Sequence, residues 1–107
     1  QCGKLRLAMA LADVRGGKDP TLLLEAAVTD LTRALETKPA AEETRYSRAM
    51  AYTLWADWLD GHNGEPRERY RAGLADAQAV VTGGGTLSAA AQKMVDHCRR
   101  WMDAHPE

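Results

Sequence analysis

Glu25 to Tyr52 runs EAAVTDLTRALETKP (25–39) and then AAEETRYSRAMAY (40–52). In the first half Ala26, Ala27, Leu31, Ala34 and Leu35 recur at helical spacing, with Asp30, Thr32, Arg33 and Glu36 outside that stripe. Pro39 has no amide hydrogen and disfavours the α conformation at Lys38, so the helix ends there. Beyond it Tyr46, Ala49, Met50 and Ala51 take up the same period. The stretch predicts two antiparallel helices joined by a proline-marked turn, and small residues on both let the axes approach closely.

The chain on either side predicts three more helices. A first, over 3–14, has Leu5, Ala8, Met9, Leu11 and Ala12 apolar. It ends at Arg15-Gly16-Gly17-Lys18-Asp19-Pro20, glycines for a C-terminal cap and then an acidic residue before a proline. The central pair covers 21–37 and 42–60. The second of these carries Tyr46, Tyr52, Trp55 and Trp58, and Gly61-His62-Asn63-Gly64-Glu65-Pro66 ends it by the same logic. A fourth helix covers 67–81, Gly83-Gly84-Gly85 breaks the chain, and a fifth covers 87–104 with Thr86 or Ser88 as its cap.

The bulk numbers agree with an all-α domain. The 107 residues suffice for one modest core, 45% are hydrophobic and 27% charged, and there is no Phe. A formal net charge of −1 gives no electrostatic case for nucleic acid or an anionic lipid surface. No apolar run approaches the roughly 18 residues of a membrane span, and no signal-peptide core is present. A start at Gln1 instead of Met suggests a fragment or a processed chain. Cys2-Gly3 could mark a lipidated N-terminus, but Gln1 ahead of it argues against that. Cys98 reads as a buried, reduced thiol beside Met94 and Val95. Helices stacked in order place Cys2 and Cys98 several layers of roughly 8–10 Å apart, too far to bond. A reduced, cytoplasmic setting is the expectation.

The two acidic-Pro loops suggest an internal repeat. Pro20 and Pro66 stand 46 positions apart, and the same offset carries Ala10 onto Ala56, Ala26 onto Ala72 and Asp30 onto Asp76. It also brings Asp19 to Glu65, Val28 to Leu74, Leu24 to Tyr70, Leu35 to Val81, Pro39 to Gly85 and Trp55 to Trp101. The unit is helix, acidic-Pro loop, helix, break. One helix pair of this kind cannot bury its own apolar face, so the expected architecture is a stack of pairs, a solenoid. Its units cover about 3–39 and 42–82, with 86–105 as a cap.

These residues resemble the tetratricopeptide repeat. Ala27-Val28-Thr29-Asp30-Leu31-Thr32-Arg33-Ala34-Leu35, closed by Pro39, is similar to that family's second helix. Arg48-Ala49-Met50-Ala51-Tyr52 is similar to the small-residue stretch of its first helix. The spacing of 46 exceeds the family's roughly 34 residues. Val80 fills the small position of the fourth helix, and Gly85 replaces the closing proline. Longer repeats of this sort look like those attached to bacterial signalling proteins.

The resemblance implies a right-handed stack whose first helices line a concave groove. Lys4 and Leu7 of the first helix, Tyr46, Met50, Thr53 and Asp57 of the third, and Asp96, Arg99 and Arg100 of the fifth would face it. The family's carboxylate-gripping form needs Lys and Asn where this chain has Tyr46, Ser47 and Met50, so that ligand is not expected. Tyr46 and Met50 suit an apolar or helical one.

Little else carries chemistry. His97-Cys98 with His105 falls short of the four spaced ligands of a zinc site, and His62 has no partner in sequence. Glu42 and Glu43 complement a helix dipole, and nothing places Asp57 and Asp60 as an acid/base pair. Gly83-Gly84-Gly85 lacks the Lys-Ser/Thr of a phosphate loop. Trp55 and Trp58, three apart, are expected to pack against the fourth and fifth helices, and Arg67, Arg69 and Arg71 to mark a solvated helix start.

The expectation is thus a non-enzymatic protein–protein interaction module of five helices, without cofactor or metal, binding an unidentified protein or peptide. Its rivals are a structural spacer, a small bundle holding a ligand or metal on His97 and Cys98, and a helix-turn-helix over 88–100.

Overall fold

The computed structural model describes residues 2–106, with the side chain of Cys2 outside the description. Expectations about that thiol, its modification and its distance from Cys98 therefore lie outside the described residues. Five α-helices and no strand occur among those residues: α1 Cys2–Arg15, α2 Thr21–Thr37, α3 Glu42–Gly61, α4 Arg67–Gly83 and α5 Ser88–Ala104. Each helix packs on the next in sequence. α1 and α5 also touch α3 along narrower seams, whereas no Cα of α2 comes within 8 Å of one in α4.

The loops explain why the chain divides where it does. At the end of α1, Gly17 is left-handed (φ 76°), and Lys18 N–H donates to Asp13 O at 2.7 Å. At the end of α3, Asn63 takes the same conformation (φ 60°) and Gly64 N–H donates to Leu59 O at 2.8 Å. Both are left-handed caps that satisfy a terminal carbonyl. After each, a buried proline leads the next helix, its carbonyl accepting from Leu24 N–H or Tyr70 N–H at 2.9 Å. Every one of these residues in the first loop lies 46 positions before its counterpart in the second. The same offset carries both ends of α2 onto those of α4, Arg15 onto Gly61, and Glu42 onto Ser88.

Three buried clusters run through the molecule, and α3 contributes to all of them. Leu7, Ala10, Leu24 and Ala27 of the first pair close on Ala51 and Trp55. On the other flank Ala49 meets Ala77, Val80, Ala91 and Val95, and Ala56 meets Tyr70 and Cys98. Small residues sit where helices approach most closely. A Cβ on Gly3 would stand 2.8 Å from Leu31 Cγ, and one on Gly73 would stand 3.0 Å from Thr53 Oγ1 and 3.4 Å from Ala49 O.

Three expectations are corrected. Trp55 does not pack against α4 and α5 as a core residue. It completes the α1–α2 cluster, while Arg69 of α4 lies over its ring at 4.3 Å. Trp58 is half-buried and stacks on His62 at 3.7 Å. The cause is the central place of α3: its Trp55 side turns to the first pair and its Ala49–Thr53–Ala56 side to the second. The start of α5 is not capped by Thr86 or Ser88. Leu87 occupies the cap position, Ser88 Oγ donates back to Val80 O at 3.5 Å, and Glu42 Oε1 reaches Leu87 N–H at 3.4 Å. Finally, Arg67 and Arg69 are more than a solvated helix start. Arg67 stacks on Trp101 and donates to His105 O.

Candidate functional site

Two recesses flank α3 along its seams with α1 and α5. The first, about 340 Å³, is walled by Leu7, Ala8 and Leu11 of α1 and Met50 and Leu54 of α3, with Lys4 at its rim. Its side chains are almost wholly hydrocarbon because α1 and α3 meet through their small and aliphatic faces. Lys4 donates to Glu43, and that bond and charge hold the Glu43 carboxyl below its usual range. The second, about 420 Å³, is walled by Tyr46 and Thr53 of α3 and Ala90, Lys93, Met94 and His97 of α5.

Tyr46 and Met50 are both half-buried, one in each recess. Thr53 Oγ1 donates to Ala49 O at 2.8 Å and lies 3.8 Å from Cys98 Sγ. Asp57 is exposed and bound from two sides: its Oδ1 accepts from Tyr70 Oη and lies 2.9 Å from His97 Nε2. The structure brings none of Asp96, Arg99 and Arg100 into either recess. Asp96 Oδ1 accepts from Gln92 Nε2 at 3.0 Å, Arg99 lines a separate hollow between α4 and α5, and Arg100 is exposed. Because α5 buries Ala91, Val95 and Cys98, the side it turns toward α3 carries Ala90, Met94 and His97. Sequence reasoning missed Ala90 and Met94 here, and weighed His97 only as a metal or ligand residue. The apolar Ala91-Val95-Cys98 stripe was the signal that could have found them.

The titratable groups near the recesses are occupied with one another. Burial, followed by the bond to Asp57, raises the Tyr70 phenol well above its ordinary value. Burial likewise raises the Cys98 thiol, a free cysteine with no exposed surface. Such a thiol stays protonated and unreactive at neutral pH. Asp60 Oδ1 accepts from Trp101 Nε1 at 2.9 Å. No cluster of three or more His, Cys, Asp or Glu that could hold a metal ion occurs among the described residues. Nor is any helix among them long and apolar enough to cross a membrane.

On the far side of α3 lies the most buried charge. Arg48 grips Asp76 through two bonds, Nε to Oδ2 and Nη2 to Oδ1, both 2.7 Å, and Nη1 reaches Thr32 Oγ1 at 3.2 Å. Asp76 is 4% exposed. The bond to Asp76 raises the Arg48 pKa further, against the opposing effect of burial. This pin ties α2, α3 and α4 together and holds α3 between its two seams. No family model matches the chain, and neither does any curated protein or solved structure.

Proposed function

We propose that the chain is a non-enzymatic protein–protein interaction module. In this reading it is a right-handed solenoid of tetratricopeptide-like helix pairs, and α1, α3 and α5 line a groove that takes a partner protein or peptide. The observation that carries the proposal is the pair of recesses along α3, each offering a half-buried, adaptable side chain, Met50 in one and Tyr46 in the other. Long apolar and aromatic side chains of this kind anchor partners when water is excluded around them. The pattern of helix contacts favours a stack of pairs over a closed bundle: α1–α2 meets α3–α4 only through α3, and α5 packs chiefly on α4, away from α1 and α2. Against catalysis, the acids near the recesses are engaged by Tyr70, His97 and Trp101, and the cysteine is buried and protonated.

The test is capture from source lysate with quantitative mass spectrometry, the native chain against a Tyr46→Ala, Met50→Ala double variant of unchanged helicity. One protein enriched by the native chain and lost from the variant supports the groove. Enrichment by neither leaves the chain as a spacer for a neighbouring domain.

A further inference from the structure

The two ends of the helix row differ in character. On α5 the free side is polar, with Asp96 and Arg100 exposed and the exposed Lys93 and Arg99 at its edges. On α1 the free side is apolar. Leu5 is 63% and Met9 47% exposed, and Ala8 and Ala12, also exposed, complete a stripe along the helix. Gly3, Leu7 and Ala10, the buried residues of α1, run along its opposite side.

We infer that the α1 stripe is a self-association surface, on which a second copy of this chain lays its own α1 antiparallel about a two-fold axis. Head-to-tail stacking would set Leu5 and Met9 against the charges of α5 and bury them without partners. A two-fold contact instead sets like on like: Met9 faces Met9 of the other copy, and Leu5 faces its Ala12. The alanines let the axes come close.

Charge selects the direction. Arg6 and Asp13 stand seven residues apart and so lie on one flank of α1. A parallel two-fold copy would turn its own Arg6–Asp13 flank to the other side of the contact and leave Arg6 without Asp13. An antiparallel copy places Arg6 opposite Asp13, and Asp13 opposite Arg6, on both sides of the axis. Arg6 donates to Asp30 through Nη1, and its planar guanidinium has other donors to offer. Of the recess residues the contact borrows only Ala8 at the edge of the stripe, and neither Tyr46 nor Met50, so substitutions at Met9 and Asp13 test it apart from the proposed groove.

The experiment is sedimentation equilibrium of the 107-residue chain, with Met9→Glu and Asp13→Arg beside it and helicity followed by circular dichroism. One helix pair is a small interface, so the expected association is weak, with a dissociation constant of the order of 10–100 µM. Met9→Glu sets two carboxylates against each other at the axis and is expected to weaken association at least about tenfold. Asp13→Arg, now facing Arg6 of the other copy, is expected to weaken it about three- to fivefold, less at high salt. A monomer at every concentration up to about 500 µM would overturn the proposal. So would a dimer whose constant neither substitution moves, or one broken only by the Tyr46, Met50 double variant.

Discussion

At an offset of 46 residues the end of α1 falls on that of α3 and both ends of α2 fall on those of α4, yet the two pairs share few side chains. Gly3 against Leu31 in the first corresponds to Ala49 and Ala77 in the second, small-with-large replaced by two small residues. Leu24 becomes Tyr70, Ala27 becomes Gly73, and the left-handed Gly17 becomes Asn63. Each pair also carries an Arg–Asp bridge from its first helix to its second. Arg6–Asp30 is partly open to water, with side chains 42% and 23% exposed, whereas Arg48–Asp76 is closed in at 19% and 5%. What repeats is the geometric demand of the helix pair, and each copy meets it with different chemistry. The difference tracks position: the second pair is packed on both sides, by α2 through Thr32 and by α5, so its polar groups must be fully paired.

Exchanging equivalent residues tests this contrast, and the bridges give the largest expected effect. Asp76→Ala leaves Arg48 buried without its carboxylate and is expected to cost about 3 kcal/mol. Arg45, whose Nη1 lies 3.5 Å from Asp76, loses that carboxylate as well and keeps its bond to Pro39 O. Asp30→Ala opens a bridge that water already reaches and is expected to cost about 0.5–1 kcal/mol. Urea unfolding followed by circular dichroism measures both. Equal losses would mean that the two pairs are energetically alike and that burial of the second bridge has no consequence.

Much of the helical layout was legible because it rests on residues with backbone consequences. Pro39, Pro20 and Pro66 forbid helix, Gly17 and Gly84 supply left-handed caps, and the bounds read for α2 match those observed. Side-chain direction was harder. Ala89, Ala90 and Ala91 give α5 apolar residues all round its first turn, so periodicity alone does not say whether His97 or Asp96 turns toward α3. The central place of α3 was also hidden, because two apolar faces on one helix read in sequence as one broad stripe. That sent Trp55 to the wrong neighbours. The Arg48–Asp76 pin left a trace, since the 46-residue offset aligned Asp30 with Asp76. An aspartate that recurs at the same place in both second helices calls for a cation, and each first helix supplies one, Arg6 or Arg48.

The exchange at Leu24 and Tyr70 is next in size. Tyr70→Leu gives the second pair the side chain of the first. It removes the bond to Asp57 and the stack on Trp101, whose ring centroid lies 4.8 Å from that of Tyr70. The expected loss is about 2 kcal/mol, with the near-ultraviolet dichroism of Trp101 reduced. The phenol also predicts a response to base. Its raised pKa means the folded state keeps the proton after the unfolded chain has released it. The contribution is therefore whole below about pH 10 and is lost as pH rises beyond that. Wild type should lose stability above about pH 10 more steeply than Tyr70→Phe, which has no proton to release. Parallel curves would show that Asp57 and burial do not hold the phenol neutral.

The loop exchange is the smallest effect and has the opposite sign. Gly17 and Asn63 hold the same left-handed conformation, at φ 76° and 60°, and each cap closes with the same bond to a carbonyl five residues back. Asn tolerates that region better than other side chains, but glycine enters it without a steric penalty. Asn63→Gly is therefore expected to stabilise the second pair slightly, by about 0.3–0.8 kcal/mol, less the entropy glycine returns to the unfolded chain. Gly17→Asn should cost a similar amount. Open space surrounds Gly17, with no atom within 4 Å of a built Cβ, so the change reports backbone preference and not a clash. If Asn63→Gly destabilises instead, the Asn63 side chain contributes something Gly17 does not, and the two loops are equivalent in shape only.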